Sequence, residues 1–257
     1  MKEIIDKGVR FDWGNASENY AKYRDIYPEK MFEEFFRLGY GGQGKVCLDI
    51  GTGTGVVPRF MSKHGGMYYG IDIAEKQIDK ARELSNGLDA EYKVGTAEII
   101  PYEDCKFDCV SAVQCWRYFD KEKAVSEIFR VLKKNGIFII AYMQWLPFES
   151  VVIEKSLNLV KKFNPDWDCF KDRIEVKNSR LSLNGFKKKE FFDFDCDIPF
   201  TRESWNGRMI ACRGIEPSLS DEEVNRFSNE HFEMLKNITE DIFTLKHQIA
   251  VFCFEKE

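Results

Sequence analysis

The stretch Val46-Cys47-Leu48-Asp49-Ile50-Gly51-Thr52-Gly53-Thr54-Gly55 decides how the rest of the chain is read. A short apolar run carries one acid and then breaks into glycine at every second position. The run predicts a buried strand, and the glycines predict a tight turn that feeds a helix over residues 56–64. Glycine adopts positive φ readily and leaves no Cβ between the backbone and a ligand. A helix start behind such a turn presents free N–H groups and the positive end of a dipole. Two other nucleotide loops are excluded by spacing. G-x-G-x-x-G needs glycine at position 56, which is Val56, and no Gly-Lys-Ser/Thr closes the turn as in a P-loop.

Working outward, Met67-Tyr68-Tyr69-Gly70-Ile71-Asp72 predicts a second strand ending in an acid, followed by a helix over residues 75–84. The separation of Gly53 from Asp72 suits one βαβ unit, in which such an acid accepts hydrogen bonds from ribose hydroxyls. A helix-capping role for Asp72 is the alternative. Residues 90–94 predict a third strand leading into Gly95-Thr96-Ala97-Glu98, and residues 106–114 a fourth, with Asp108 stabilising its start. An amphipathic helix over residues 121–133 buries Val125, Ile128, Phe129, Val131 and Leu132 and ends at Lys134-Asn135-Gly136, before a fully buried strand over 137–142. Five strands alternating with helices imply a doubly wound parallel sheet.

Upstream, Trp13, Tyr20, Tyr23, Arg24 and Tyr27 precede Pro28 and a helix carrying Met31, Phe32, Phe35, Phe36 and Leu38, which stops at Gly39. This aromatic stretch reads as a lid or arm. Its tyrosines either meet a ligand or staple the first helix to the sheet, while Arg24 is read as a ligand contact. Downstream, residues 151–163 predict a helix, followed by Pro165, Trp167 and Phe170. Residues 186–199 alternate as a strand does, with Lys187-Lys188-Lys189 as its solvated end. Thr201 and Ser220 open two further helices, the first short and the second running to about residue 235, and residues 247–254 predict a last strand.

Asp49-x-Gly51-x-Gly53-x-Gly55, together with Gly95-Thr96-Ala97-Glu98 and Phe107-Asp108, resembles the motifs of class I S-adenosylmethionine-dependent methyltransferases. Tyr20-x-x-x-Arg24-x-x-Tyr27-Pro28 and the Gln114 … Phe119-Asp120 segment are similar to a small-molecule subgroup akin to trans-aconitate methyltransferase. That subgroup carries proline where Asp25 stands, histidine where Arg117 stands and tryptophan where Tyr118 stands. The resemblance implies an α/β fold, a doubly wound, seven-stranded, mostly parallel sheet whose last strand is antiparallel, with an inserted helical cap. It implies one domain over residues 1–257: a lid and first helix (1–40), a cofactor-binding core (41–143), a helical cap (144–185) and a strand-helix-strand completing the sheet (186–257).

The implied cofactor is S-adenosylmethionine, with S-adenosylhomocysteine as product. Asp72 is expected to hold the ribose, Gly51, Thr52 and Gly53 to lie under the amino-acid tail, and Arg24 to neutralise that tail's carboxylate beside Tyr20. Asp49 is expected to order the turn and the ammonium group, and Gln114 to border the sulfonium end. Ile73, Gln77, Thr96, Ala97 and Glu98 complete the expected cofactor set. Thr96 stands where relatives often place an acid on the adenine amino group, so it can offer only a hydroxyl, and the Ala97 backbone is the alternative. Trp116, Arg117, Tyr118, Trp145, Trp205 and Arg208 are the expected acceptor contacts. Arginine stays protonated near neutral pH, so Arg117 cannot replace a histidine base; it either holds an anion or pairs with a surface acid.

Composition narrows the acceptor. The 257 residues carry a formal charge of −5 with basic and acidic residues interleaved, so a DNA partner is not expected. No Asn/Asp-Pro-Pro-Tyr follows the fourth strand and no Pro-Cys dipeptide occurs, which removes the signatures of adenine-amino and cytosine-C5 methylation. Eight cysteines show no zinc-ligand spacing and read as reduced thiols, with Cys115 a packing residue. The charged stretch from Met1 to Arg10 is not a signal peptide, and no apolar run reaches membrane-spanning length, so a cytoplasmic, membrane-free protein is expected. The reading is a methyltransferase acting on a small molecule held by aromatic walls and an arginine. An RNA or protein methyltransferase and a cofactor-binding protein without turnover are the other two readings.

Overall fold

Parallel strands buried on both faces must be apolar throughout, and the centre of this chain is built that way. The computed structural model describes residues 6, 12–14, 17–169, 173–174 and 181–257. Within them β1 (Val46–Ile50), β2 (Met67–Asp72), β3 (Ala90–Val94), β4 (Phe107–Val113), β5 (Leu132–Trp145), β6 (Phe186–Thr201) and β7 (Ile242–Lys256) form one sheet in the order β3-β2-β1-β4-β5-β7-β6. The first five are parallel, and β7 is antiparallel to both β5 and β6. The seven-stranded, mostly parallel sheet expected from the sequence is therefore present.

Alternation along the strands sorts side chains onto two faces. Ile137, Ile139, Ala141 and Met143 join one buried cluster with Cys47, Cys109, Ile249 and Val251. Phe138 and Ile140 join the other with Leu48, Ile50, Val110, Ala112, Phe252 and Phe254. Helices α2 (Glu29–Arg37), α3 (Val56–Met61), α6 (Val151–Phe163), α7 (Arg202–Ile210) and α8 (Asp221–Ile238) contribute to the first face, and α5 (Lys121–Val131) to the second. A short α4 (Glu75–Leu84) seals Ile78 and Ala81 against Tyr92.

Several boundaries differ from expectation for local reasons. Part of the N-terminal arm is a helix, α1 (Ser17–Tyr23), packed on α7, where Gly207 leaves room that a Cβ would take from the Tyr23 ring at 2.3 Å. The turn at Asn135, φ 60°, falls inside β5, because Leu132 already pairs with Phe107 across an irregular register. Both α7 and α8 start with reciprocal capping boxes, at Thr201–Ser204 and Ser220–Glu223, as the sequence suggested. The last strand begins at Ile242, five residues earlier than expected, because β6 offers a partner along its whole length. Phe170 and the charged N-terminal stretch, apart from Asp6, lie outside the described residues.

Strand order reverses between β1 and β4, and the loops leaving β1 to β5 gather at their carboxyl ends. In open α/β sheets ligands bind at that point.

Candidate active site

A cavity of about 620 Å³ lies across these strand ends. Its floor is the glycine turn. Gly51 (φ 65°) and Gly53 (φ 55°) are left-handed, and a Cβ on Gly51 would stand 2.8 Å from Cys115 Cβ. Asp72 closes one side. Its Oδ2 accepts the Gly53 N–H at 2.9 Å and its Oδ1 accepts the Ala74 N–H at 2.9 Å, so the acid ties the turn to the start of α4. Burial raises the Asp72 carboxyl above its ordinary value, opposed by those backbone N–H groups. An ionised carboxylate has about four acceptor positions, so two bonds leave capacity for hydroxyl donors.

Gly95, Thr96, Ala97 and Glu98 form the far wall from the end of β3, with Ile73, 71% exposed, at the rim. Glu98 also accepts the Asp120 N–H at 2.7 Å. Gln77 lines the cavity from α4; its Nε2 donates to the Trp13 carbonyl at 3.1 Å, while Oε1 is buried without a partner among the described residues. Gln114 ends β4 in a left-handed conformation (φ 62°), unusual for a residue of that size. Its main-chain N–H bonds to the Ala141 carbonyl at 2.9 Å and its Nε2 to the Met143 carbonyl at 2.6 Å, which fixes it between β4 and β5.

The arm closes the cavity from above. The Gly53 backbone lies under the Tyr20 ring, and Tyr20 packs edge-on against Trp13 at 5.8 Å. The Arg24 guanidinium sits over Tyr20 at 4.4 Å and over Trp13 at 5.6 Å, and donates to the Ala211 carbonyl at 3.3 Å. Asp25, which stands where the subgroup has proline, pairs with Arg59 and ties the arm to α3.

A smaller chamber of about 100 Å³ continues beyond Trp13, Arg24, Gln114 and Tyr118, which line both spaces. Arg117, Trp145 and Arg208, three of the expected acceptor residues, line this chamber. Arg117 pairs with Asp168 at 3.2 Å, and the Tyr118 hydroxyl accepts from Arg213 at 2.8 Å.

Two expected acceptor residues are corrected. Trp205 is fully buried, donating its ring N–H to Ser156 at 2.9 Å and packing on Phe200 and Trp145, so it is a core residue. Trp116 is buried on the opposite face of the sheet against Phe138 and Phe119, away from both spaces. Two expected cofactor contacts also sit elsewhere. Asp49 and Thr52 are buried beneath the turn and line neither space. Asp49 accepts the Ser111 hydroxyl at 2.6 Å, and burial pushes its carboxyl up to about 7 against the pull of the Ser111 and Thr52 hydroxyls. Burial likewise holds the Cys115 thiol well above its ordinary value, which leaves it neutral and unreactive.

The sequence reading missed Asp12, Ala74, Val113 and Phe119 as wall residues, took Cys115, which also lines the cavity, for packing alone, and gave Trp13 no role of its own. Only Trp13 carried a signal, as the first aromatic of the arm.

The residues present fit a nucleoside bearing an amino-acid tail. A bare glycine backbone, a buried strand-end acid, the unpartnered Gln77 oxygen and the Arg24 cation share one elongated cavity. Among the described residues no group of three or more His, Cys, Asp or Glu side chains could hold a metal ion, and no helix is long and apolar enough to cross a membrane.

Comparison with known proteins matches residues 48–140 to a family described as a methyltransferase domain. The chain is 30% identical over 251 residues to the Schizosaccharomyces pombe protein C25B8.10, named an uncharacterised methyltransferase-like protein, and the match covers 93% of each. It is 30% identical over 199 residues to the Bacillus subtilis uncharacterised methyltransferase YcgJ, covering 74% of this chain and 76% of that one. The crystal structure of YcgJ superposes with a TM-score of 0.58 at 18% identity, covering 90% of this chain and 99% of that one, which shows a shared fold. A Pseudomonas fluorescens protein named ubiquinone biosynthesis O-methyltransferase is 28% identical over 128 residues, covering 48% of this chain and 54% of that one.

Proposed function

Because the chain belongs to the class I S-adenosylmethionine-dependent methyltransferases, we propose that it methylates a small molecule seated in the inner chamber, with the cofactor in the larger cavity. The observation that carries this reading is the junction at Gln114, where a cofactor-sized space meets a smaller one walled by Trp145, Trp167 and Tyr118. The name of the Pseudomonas relative, a small-molecule O-methyltransferase, supports the same acceptor class.

When bound, the cofactor supplies a methyl group made electrophilic by a positively charged sulfur. The chain's part is to bind, align and exclude water. Asp72 takes the ribose hydroxyls, and the Gly51 and Gly53 backbone lies beneath the amino-acid tail. Arg24 and Tyr20 meet the tail's carboxylate, and the free Gln77 oxygen accepts a hydroxyl or amine proton. Ile73, Thr96, Ala97 and Glu98 bracket the base. Gln114, with its amide nitrogen committed to Met143, offers its carbonyl oxygen to the cationic end. The arm of residues 12–27 acts as a lid. The cap proposed for residues 144–185 is shared with α7, which contributes Arg208.

Titration calorimetry with S-adenosylhomocysteine tests the first half of this reading. Binding is expected, and the absence of heat at high micromolar ligand would end it. Mass-spectrometric screening of pooled metabolites against bulk tRNA tests the second half, with methyl transfer expected to the metabolite pool.

A further inference from the structure

Some hydrogen-bond donors lining the inner chamber find no acceptor among the described residues. Four guanidinium groups face it, and two of them are matched. Arg213 is held by Asp6, with Nε–Oδ2 at 2.5 Å and Nη2–Oδ1 at 2.7 Å, and Arg117 by Asp168. Arg208 has no such partner. It is 5% exposed, and its Nε and Nη1 find no acceptor among the described residues. Its side chain rests on the Trp145 ring, with the guanidinium carbon 5.0 Å from the centroid. Gln144, which also lines the chamber, is 7% exposed, and its Nε2 has no partner among the described residues.

The neighbouring ionisable groups do not supply the missing anion. Burial holds the Tyr20 and Tyr27 phenols above their ordinary values and pushes the Cys212 thiol up to about 11, so all three stay neutral at pH 7. Arg24 adds a second positive charge. An unpaired charge in a buried site is expensive and persists where a ligand completes it. The cofactor tail brings one carboxylate, which the proposed arrangement gives to Arg24. One cation and one amide donor are then left, both facing the acceptor.

We propose that Arg208 is the anion seat for the methyl acceptor, with Gln144 a second donor lining the same chamber, and that the acceptor is therefore a small acid carrying a carboxylate or phosphoryl group. The ligand must carry acceptors, because the buried unmatched atoms lining the chamber among the described residues, Arg208 Nε and Nη1 and Gln144 Nε2, are donors. A planar guanidinium suits the two oxygens of a carboxylate, and Trp145 supplies an apolar surface behind it. The seat anchors the substrate, and a nucleophilic atom elsewhere on the same molecule can then reach the Gln114 junction. This inference rests on the two-chamber reading above.

The test uses the full chain saturated with S-adenosylhomocysteine and titrated with benzoate, succinate and inorganic phosphate, with benzamide as the neutral control. At least one anion is expected to bind, and benzamide at least about tenfold more weakly than benzoate. Arg208→Met should weaken the bound anion by about tenfold or more, Gln144→Leu by a few-fold, and Arg208→Lys by less than Arg208→Met. All three variants should bind S-adenosylhomocysteine as the parent does, which also verifies their folding. Binding of phosphate without carboxylates would uphold the seat and assign a phosphoryl acceptor. Absence of binding by every anion at tens of millimolar, or equal anion affinity in Arg208→Met, would overturn the proposal while leaving the cofactor reading intact. Failure of the parent to bind S-adenosylhomocysteine would instead overturn the two-chamber reading and this inference with it.

Discussion

Replacing Arg208 with methionine should make the ligand-free protein more stable. Arg208 is 95% buried, has two unmatched nitrogens and is repelled by Arg24. Burial, then that repulsion, lowers its guanidinium well below its ordinary value, to about 9. At about 1.4 kcal/mol per pH unit, the gap corresponds to an upper bound of about 5 kcal/mol. Methionine matches the length of the stem and keeps an apolar contact with Trp145, and relaxation around the charge already recovers part of the bound. A net gain of about 2–3 kcal/mol is the expectation, within the range seen when buried charges give way to apolar residues. For a domain of this size that raises the melting temperature by roughly 5–10 °C. The sign with pH follows from proton counting. Below about pH 9 the arginine is charged in both states and its cost is constant; above it the folded state sheds a proton the unfolded state keeps, so the parent gains on the variant. Circular dichroism melts of both proteins at pH 7 and pH 10, without ligand, measure this. A melting temperature unchanged or lowered at pH 7 would show that Arg208 is satisfied in the native state, and the reasoning would fail. Stability gained together with acceptor binding lost is the pattern expected of a side chain kept for binding.

Asp72→Ala should weaken S-adenosylhomocysteine by about 1–3 kcal/mol in calorimetry, since it removes both the proposed ribose acceptor and the bond to Gly53; unchanged affinity would remove Asp72 from the site. Gly51→Ala forces a side chain into left-handed backbone and to 2.8 Å from Cys115 Cβ, so a loss of about 1–3 kcal/mol in urea unfolding is expected, and an unaltered midpoint would count against the turn geometry. Trp205→Ala should cost about 3–5 kcal/mol by the same assay, because a fully buried indole is deleted from the core; a near-neutral change would return Trp205 to the pocket. Asp49 holds its proton up to about pH 7 in the folded state, so the folded protein loses stability as pH rises from about 4 to 7; Asp49→Asn should flatten that slope by roughly 4 kcal/mol, and an identical slope would contradict the burial argument.

The parts of this fold that were legible in the sequence are those fixed by local rules. The β1 turn, the acid ending β2 and the capping boxes at Thr201 and Ser220 each depend on residues a few positions apart, and each stands where its chemistry requires. Side-chain direction is a different matter. Trp116, Trp145 and Trp205 were read together as pocket walls, yet Trp145 faces the chamber while the other two fill opposite cores. A tryptophan in an apolar context has the same signature whether its face meets solvent, ligand or sheet. Asp49 failed in the same way: the turn motif told that an acid belongs there, but its burial under the turn depends on Ser111, 62 residues along the chain.

Arg208 was named from sequence only as one of several arginines, and what singles it out is the distribution of acids over long separations. Asp6 reaches Arg213 across 207 positions, and Asp168 reaches Arg117 across 51. Nothing local favours those pairings over one with Arg208, so the sequence shows three equivalent cations where the described residues leave one unmatched. The consequence is directional. A chain that brought a further acid into this chamber would neutralise Arg208 and close the seat to anions, whereas the described acids around it are spent on Arg117 and Arg213, the two cations that hold Asp6 and residue 168 to the wall. The acids that pair Arg117 and Arg213 thus fix the chamber's wall, and the distribution that spends them there leaves Arg208 to an anion.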